Sequence, residues 1–190
     1  MEITVFSFIS VLISTFFLEC NEVDSYITDR EKKILLLANI SISLVLYVLK
    51  VDIAYIFTLQ ILLGSAYIDY RYREIPDSAT LISLLIVLIF TFLNHESINM
   101  IDIALGLGIY AIFLISCLLG YIGGGDIKIF LPLVILMGGV NFALFIMLTG
   151  IMVLSKELIN FMHTKEIDMK KEIALAPFFY LATASVSLLI

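Results

Sequence analysis

The amino-acid sequence predicts an all-α, polytopic membrane protein of about eight transmembrane or partly spanning helices. Three observations predict it. The first is composition: 62% of the 190 residues are hydrophobic and the mean hydropathy is +1.11, whereas soluble domains are about 45–50% apolar. The second is that the apolar residues fall in blocks of about 16 to 20. At about 1.5 Å per residue, such blocks suit a hydrocarbon core of about 30 Å. Barrel strands would alternate apolar and polar residues, and that pattern is absent. The third is the placement of Lys and Arg, described below.

Taken in order, helices are expected at about 3–18, 34–49, 52–68, 79–93, 102–120, 126–138, 140–160 and 173–190. The first is expected to be a retained span. Glu2 stands where a signal peptide has basic residues, and no A-x-A-like site follows. Asn39 and Gln60, inside the second and third segments, suit hydrogen bonding between helices. In the loop after the third, Pro76 bars helix continuation, and Asp77 or Ser78 can cap the fourth. Asp102 is expected to cap or open the fifth. The sixth is short, carries Pro132 and ends at Gly138-Gly139, so a half-helix is expected there. One integral membrane domain over 1–190 is expected, because no polar stretch exceeds about 20 residues.

Orientation follows from the basic residues. With loop 69–77 in the cytoplasm, loops 19–33 and 155–171 and the turn 121–128 fall on the same side. They hold Arg30, Lys32, Lys33, Arg71, Arg73, Lys128, Lys156, Lys165, Lys170 and Lys171; only Lys50 lies outside. Both chain ends are then outside. The net charge of −6 argues against nucleic-acid binding. Cys20 and Cys117 are too few and too far apart for a zinc pattern. His95 and His163 have no partner in sequence. No metal and no cofactor are expected.

Ionisable groups near membrane segments are functional hypotheses by default. Asp69 ends the third segment in "GSAYIDYRYREIPDS" (64–78), and Asp126 opens the sixth in "YIGGGDIKIF" (121–130). Two carboxylates about 3 Å apart share one proton. The charged one takes a proton from water, and the neutral one donates to a scissile carbonyl. Lys128 is expected to favour the ionised form of Asp126. Gly123, Gly124 and Gly125 are expected to let a substrate backbone approach closely. The acidic loop residues Glu19, Glu22, Asp24, Asp29 and Glu31 suggest electrostatic steering of a basic partner. Two other classes use the same features. One is a small ion- or proton-coupled transporter with these carboxylates as its site. The other is a non-catalytic assembly factor. A carrier wants its carboxylates near the midplane.

The pair "D-x-R-x-R-x-I-P-D" (69–77) and "G-G-G-D-I-K" (123–128), with Asp126 57 residues after Asp69, resembles the type IV prepilin peptidases and preflagellin peptidases. These are membrane aspartic proteases of the GxGD type. A third match is "EIALAPFFYLATA" (172–184), with Pro177 and Phe178. The resemblance covers about residues 52–190 and implies a six-helix GxGD aspartic protease-like core, with 1–50 as two extra helices. It implies that Asp69 and Asp126 are catalytic, supported by Arg71, Arg73, Pro76, the three glycines and Lys128. The implied activity removes the short basic leader from membrane-inserted prepilin or preflagellin precursors, at the cytoplasmic face of the cell membrane. Many bacterial members carry a zinc-binding segment and N-methylate the product. The short loop after the first helix, with Cys20 alone, suits peptidase activity only, as in archaeal-type members. Presenilin-like proteases pair Gly-x-Gly-Asp with Tyr-Asp inside a helix, whereas Asp69 follows Ile68.

Overall fold

The apolar blocks fold as helices, and capping chemistry sets several of their ends. The computed structural model describes residues 3–94, 99–165 and 173–190. Its elements are α1 (Ile3–Leu18), α2 (Asn21–Asp24), α3 (Asp29–Val48), α4 (Ile53–Tyr72), α5 (Asp77–Asn94), α6 (Met100–Leu118), α7 (Gly124–Thr164) and α8 (Ala176–Ser187). Among the described residues every regular element is helical. Helices α4, α6 and α7 are long and apolar enough to cross a membrane, and α1 and α5 are shorter apolar helices. His95 lies outside the described residues.

Hydropathy misplaces several ends. Helix α3 begins at Asp29, ahead of its apolar stretch, because Thr28 and Glu31 form a capping box. The Thr28 amide and hydroxyl donate to Glu31 Oε2 at 2.9 and 2.7 Å. Helix α4 continues past Asp69 to Tyr72. It stops at Arg73, which is left-handed (φ 62°, ψ 33°) and whose amide returns to the Asp69 carbonyl at 3.0 Å. Helix α6 is capped by Asn99, which accepts the amides of Ile101 and Asp102 at 3.2 and 3.4 Å. Asp102 therefore does not cap its own helix. Helix α8 is shorter at both ends than the 173–190 expected, and Pro177 in its first turn suits a start at Ala176. His163 lies in the last turn of α7, not in a loop.

Helix α7 is a hairpin. Gly138 breaks it at φ 72° and ψ 179°, a region essentially restricted to glycine. The ring of Phe130 meets those of Phe142 and Phe145 at 5.6 and 5.9 Å between centroids. In a straight helix, residues 12 and 15 positions apart would be separated by about 18 and 22 Å. The legs 124–137 and 139–164 are therefore folded back on each other, as the expected break at Gly138-Gly139 requires. The first leg, about 20 Å long, is shorter than a hydrocarbon core of about 30 Å. Asp102 holds the turn, accepting the Val140 amide at 3.1 Å. A Cβ on Gly139 would lie 2.6 Å from the Asp102 carbonyl oxygen and 2.7 Å from the Gly106 nitrogen, so α6 and the hairpin turn touch backbone to backbone.

Helix α4 lies at the centre. It packs against α1, α3, α5 and α8 and is buried on nearly every face from Ala54 to Asp69, as expected of a helix apolar all round. Gln60 joins it to the N-terminal helices: its Nε2 donates to Ser43 Oγ of α3 at 2.6 Å and to Ser10 Oγ of α1. Interhelical bonding thus holds for Gln60. The Asn39 amide nitrogen is buried without a partner among the described residues. Helix α6 packs mainly on α7 and buries only Gly106. Phe130 sits among Phe113, Phe142, Phe145 and Phe179, joining α6, both legs of α7 and α8 in one aromatic cluster.

Gly138→Ala places a Cβ in a glycine-only conformation and against the Asp102 carboxylate. It is expected to cost at least about 2 kcal/mol, read as a lower melting temperature in detergent. A melting temperature equal to wild type would refute this account of the turn.

Candidate active site

Five chain segments converge at one end of the bundle, around a cavity of about 780 Å³; the α2–α3 stretch supplies Glu22 and Tyr26. The end of α4 supplies Asp69. The α4–α5 loop supplies Arg73, Glu74 and Ile75, and the first residue of α5 supplies Asp77. The α6–α7 turn supplies Gly123 to Asp126, and the chain entering α8 supplies Leu175. The two aspartates, 57 residues apart in sequence, thus face one space. The Asp69 carboxylate is close enough to Asp126 to act on it electrostatically.

The two carboxylates are held differently. Asp69 is in the last turn of α4 and only 6% exposed. Its Oδ2 accepts the amide of Ala176 at 2.8 Å. The first amides of a helix have no partner within the helix, and Pro177 at the second position has none to offer. A carboxylate there meets both the free donors and the positive end of the helix dipole. Asp126 lies in the first turn of α7, two residues inside a helix that begins at Gly124. It is half-buried and has no hydrogen-bond partner among the described residues. Its Oδ2 lies 3.0 Å from where a Cβ on Gly123 would sit.

The glycines divide their roles. Gly123 leaves room for the Asp126 side chain. Gly125 leaves room for Ile75, whose Cβ lies 3.3 Å from the would-be Cβ. Only Gly124 faces open space. Of the three, it alone keeps the room foreseen for a substrate backbone.

The basic residues also separate. Lys128 donates to Asp77 Oδ1 at 2.6 Å and is not the partner of Asp126. Side chains two apart on a helix point in different directions, and residues 126 and 128 are both helical. Arg71 and Asp69 diverge for the same reason. Arg71 leaves the site to pair with Glu31, and its guanidinium lies 5.4 Å from the Tyr72 ring centroid. Arg73, outside the helix, lines the cavity and places its charge near Asp69. Pro76 is buried at the start of α5.

Neither Asp77 nor Ser78 caps α5. Glu22 does, from α2: its Oε1 accepts the Asp77 amide at 2.8 Å and its Oε2 the Ser78 amide at 2.9 Å. Burial pushes the Glu22 carboxyl up, but these amides outweigh it and leave the group below the usual carboxylate range. Tyr26 lines the same wall and donates to Glu74 at 2.5 Å. Of the acidic loop residues, Asp24 pairs with Lys32 and Glu31 with Arg71. Those two and Glu22 are committed to partners within the chain. Sequence reasoning missed Ile75, Tyr26 and the Leu175–Ala176 backbone. Pro177 was the available signal, because it marks a helix start whose amides need an acceptor. Among the described residues, no group of three or more His, Cys, Asp or Glu could hold a metal ion.

Residues 54–155 match the model of the type IV leader peptidase family. No curated protein and no solved structure matches the chain.

Glu31 precedes the apolar stretch of α3 and ties it to α4. The Tyr67 hydroxyl at 2.6 Å, then the Thr28 amide and hydroxyl and Arg71, hold its carboxyl down at about 2, against an ordinary 4.5. A depressed folded-state value gives stability that is present above the unfolded value and lost as pH falls towards the folded one. The melting-temperature gap between wild type and Glu31→Gln is therefore expected to be largest near neutral pH and to narrow from about pH 4.5 downward. A gap that stays constant from about pH 7 to pH 3 would remove Glu31 from this role.

Proposed function

The chain belongs to the type IV leader peptidase family, and from that membership we propose that it removes the short basic leader of prepilin or preflagellin-like precursors, with Asp69 and Asp126 as the catalytic pair. The observation that carries this reading is the convergence of both carboxylates, each from the end of a different helix, on one open cavity beside a glycine turn.

The proposed reaction is hydrolysis of one peptide bond by water. Asp69 already accepts an amide, so its anion is the better supported of the two. Asp126, without a donor, holds the shared proton. The charged carboxylate takes a proton from water as the oxygen adds to the scissile carbonyl carbon. Asp126 gives its proton to the carbonyl oxygen, so no free oxyanion builds up. Collapse of the tetrahedral intermediate breaks the C–N bond. A proton passes to the departing nitrogen, leaving a new carboxyl and a new amine. The leader segment is proposed to lie extended beside Gly124, where the backbone is open.

The same reading places the site at the cytoplasmic face of the cell membrane, with both chain ends outside. Its support is the distribution of charge. Lys50, in the α3–α4 turn, lies at the opposite end of α4 from Asp69, whereas Arg30, Arg71, Arg73 and Lys128 lie near the cavity end. A carrier would hold its carboxylates at mid-depth; these occupy the last turn of one helix and the first turn of another. The short α1–α3 connection, with Cys20 alone, favours an archaeal-type member that cuts without methylating. On this reading 1–50 is an N-terminal addition to a six-helix core over 52–190.

Co-expression with candidate precursors tests the pair. Asp69→Asn and Asp126→Asn are each expected to reduce leader removal by at least about 10³-fold, as loss of one member of a cooperating set does. Retained cleavage in either variant would sink the assignment.

A further inference from the structure

We propose that Glu22 is a positioning residue for leader removal, although it lies outside the segment that matches the family. The inference rests on the reading of Asp69 and Asp126 as the catalytic pair. Both Glu22 oxygens are occupied, one by the Asp77 amide and one by the Ser78 amide. A carboxylate so engaged is not free to bind a substrate cation. It is a bidentate clamp on the first turn of α5, where Pro76 leaves the chain without a donor of its own.

The clamp reaches Asp126 through two contacts. Asp77, whose amide Glu22 holds, receives Lys128 at 2.6 Å from the first leg of α7. Ile75, two residues before Asp77, fills the space over Gly125, next to Asp126. Releasing the start of α5 therefore loosens both attachments between the α4–α5 loop and the glycine turn. Asp69 is anchored separately, by α8. The expected defect is therefore in the placement of one aspartate relative to the other. Tyr26, on the same segment and bonded to Glu74, holds the loop from a second point.

The test measures leader removal in detergent, at limiting and saturating precursor, for wild type, Glu22→Ala, Glu22→Gln and Asp126→Asn. Glu22→Ala is expected to lower kcat by about tenfold or more with KM within about twofold, since small misplacements at the reacting groups cost rate. Glu22→Gln keeps one acceptor oxygen and is expected to fall between. Trypsin cleavage after Arg73 in the folded protein is expected to quicken in the same order. Wild-type kcat in both Glu22 variants, with Asp126→Asn inactive, overturns the positioning role and leaves the catalytic pair standing. A rise in KM alone also overturns it, as does a lower melting temperature with the kcat of the folded fraction unchanged. Cleavage retained by Asp126→Asn overturns the pair itself, and the inference with it. Should Glu22→Ala fail to fold, Glu22→Gln carries the decision.

Discussion

The contact between the Asp69 carboxylate and the Ala176 amide is the constraint around which the cavity is arranged. A carboxylate that is nearly fully buried in an apolar bundle needs a donor, since an unpartnered buried polar group costs several kcal/mol. Helix α8 supplies one and is itself relieved of an orphan amide. The contact closes the bundle between an element near the middle of the chain and one near its C-terminal end. It also fixes where α8 begins, and with it the register of Phe179 in the cluster around Phe130. Phe130 lies one helical turn from Asp126 on the same leg of α7. The two aspartates are thus linked beneath the cavity by packed aromatic rings, and the space between them stays open.

The same economy recurs across the bundle. Helix starts supply donors, and carboxylates from distant segments accept them. Glu22 accepts at α5, Asp69 at α8 and Asp102 at the second leg of α7. In each case the acceptor belongs to a different element from the helix it caps, so one hydrogen bond both satisfies a terminus and docks two helices. Two of these acceptors or their partners lie outside residues 54–155. The N-terminal segment and the last helix therefore contribute structurally to a cavity whose aspartates both lie within the family-matched stretch.

What could be read from the sequence divides along the same line. The apolar blocks, the break at Gly138-Gly139 and the gathering of Asp69 with Asp126 were legible, because hydropathy, glycine and charge asymmetry are local signals. Helix ends were less so. Hydropathy stops α4 at Ile68, yet the helix runs to Tyr72, and those extra residues turn Arg71 away from Asp69. The same logic separates Lys128 from Asp126: neighbours in a loop become opposite faces once the helix starts at Gly124. Long-range caps leave almost no trace in sequence. Glu22 looked like one of five similar acids in a loop, and only the fold shows that its two oxygens are taken. The room given by three consecutive glycines was legible, but its occupant was not, because Ile75 arrives from another part of the chain.

The donor to Asp69 is a main-chain group, and this shapes how the position responds to genetic variation. Every amino acid except proline carries the same N–H at residue 176. Substitution there exchanges the methyl group of Ala176 but leaves the donor in place. A mutational scan would therefore record tolerance wherever the new side chain fits. It would miss a contact on which the buried carboxylate depends. Ala176 is itself buried, so bulky residues would fail there for lack of room; intolerance of proline beside tolerance of glycine and serine would be the contact's genetic signature.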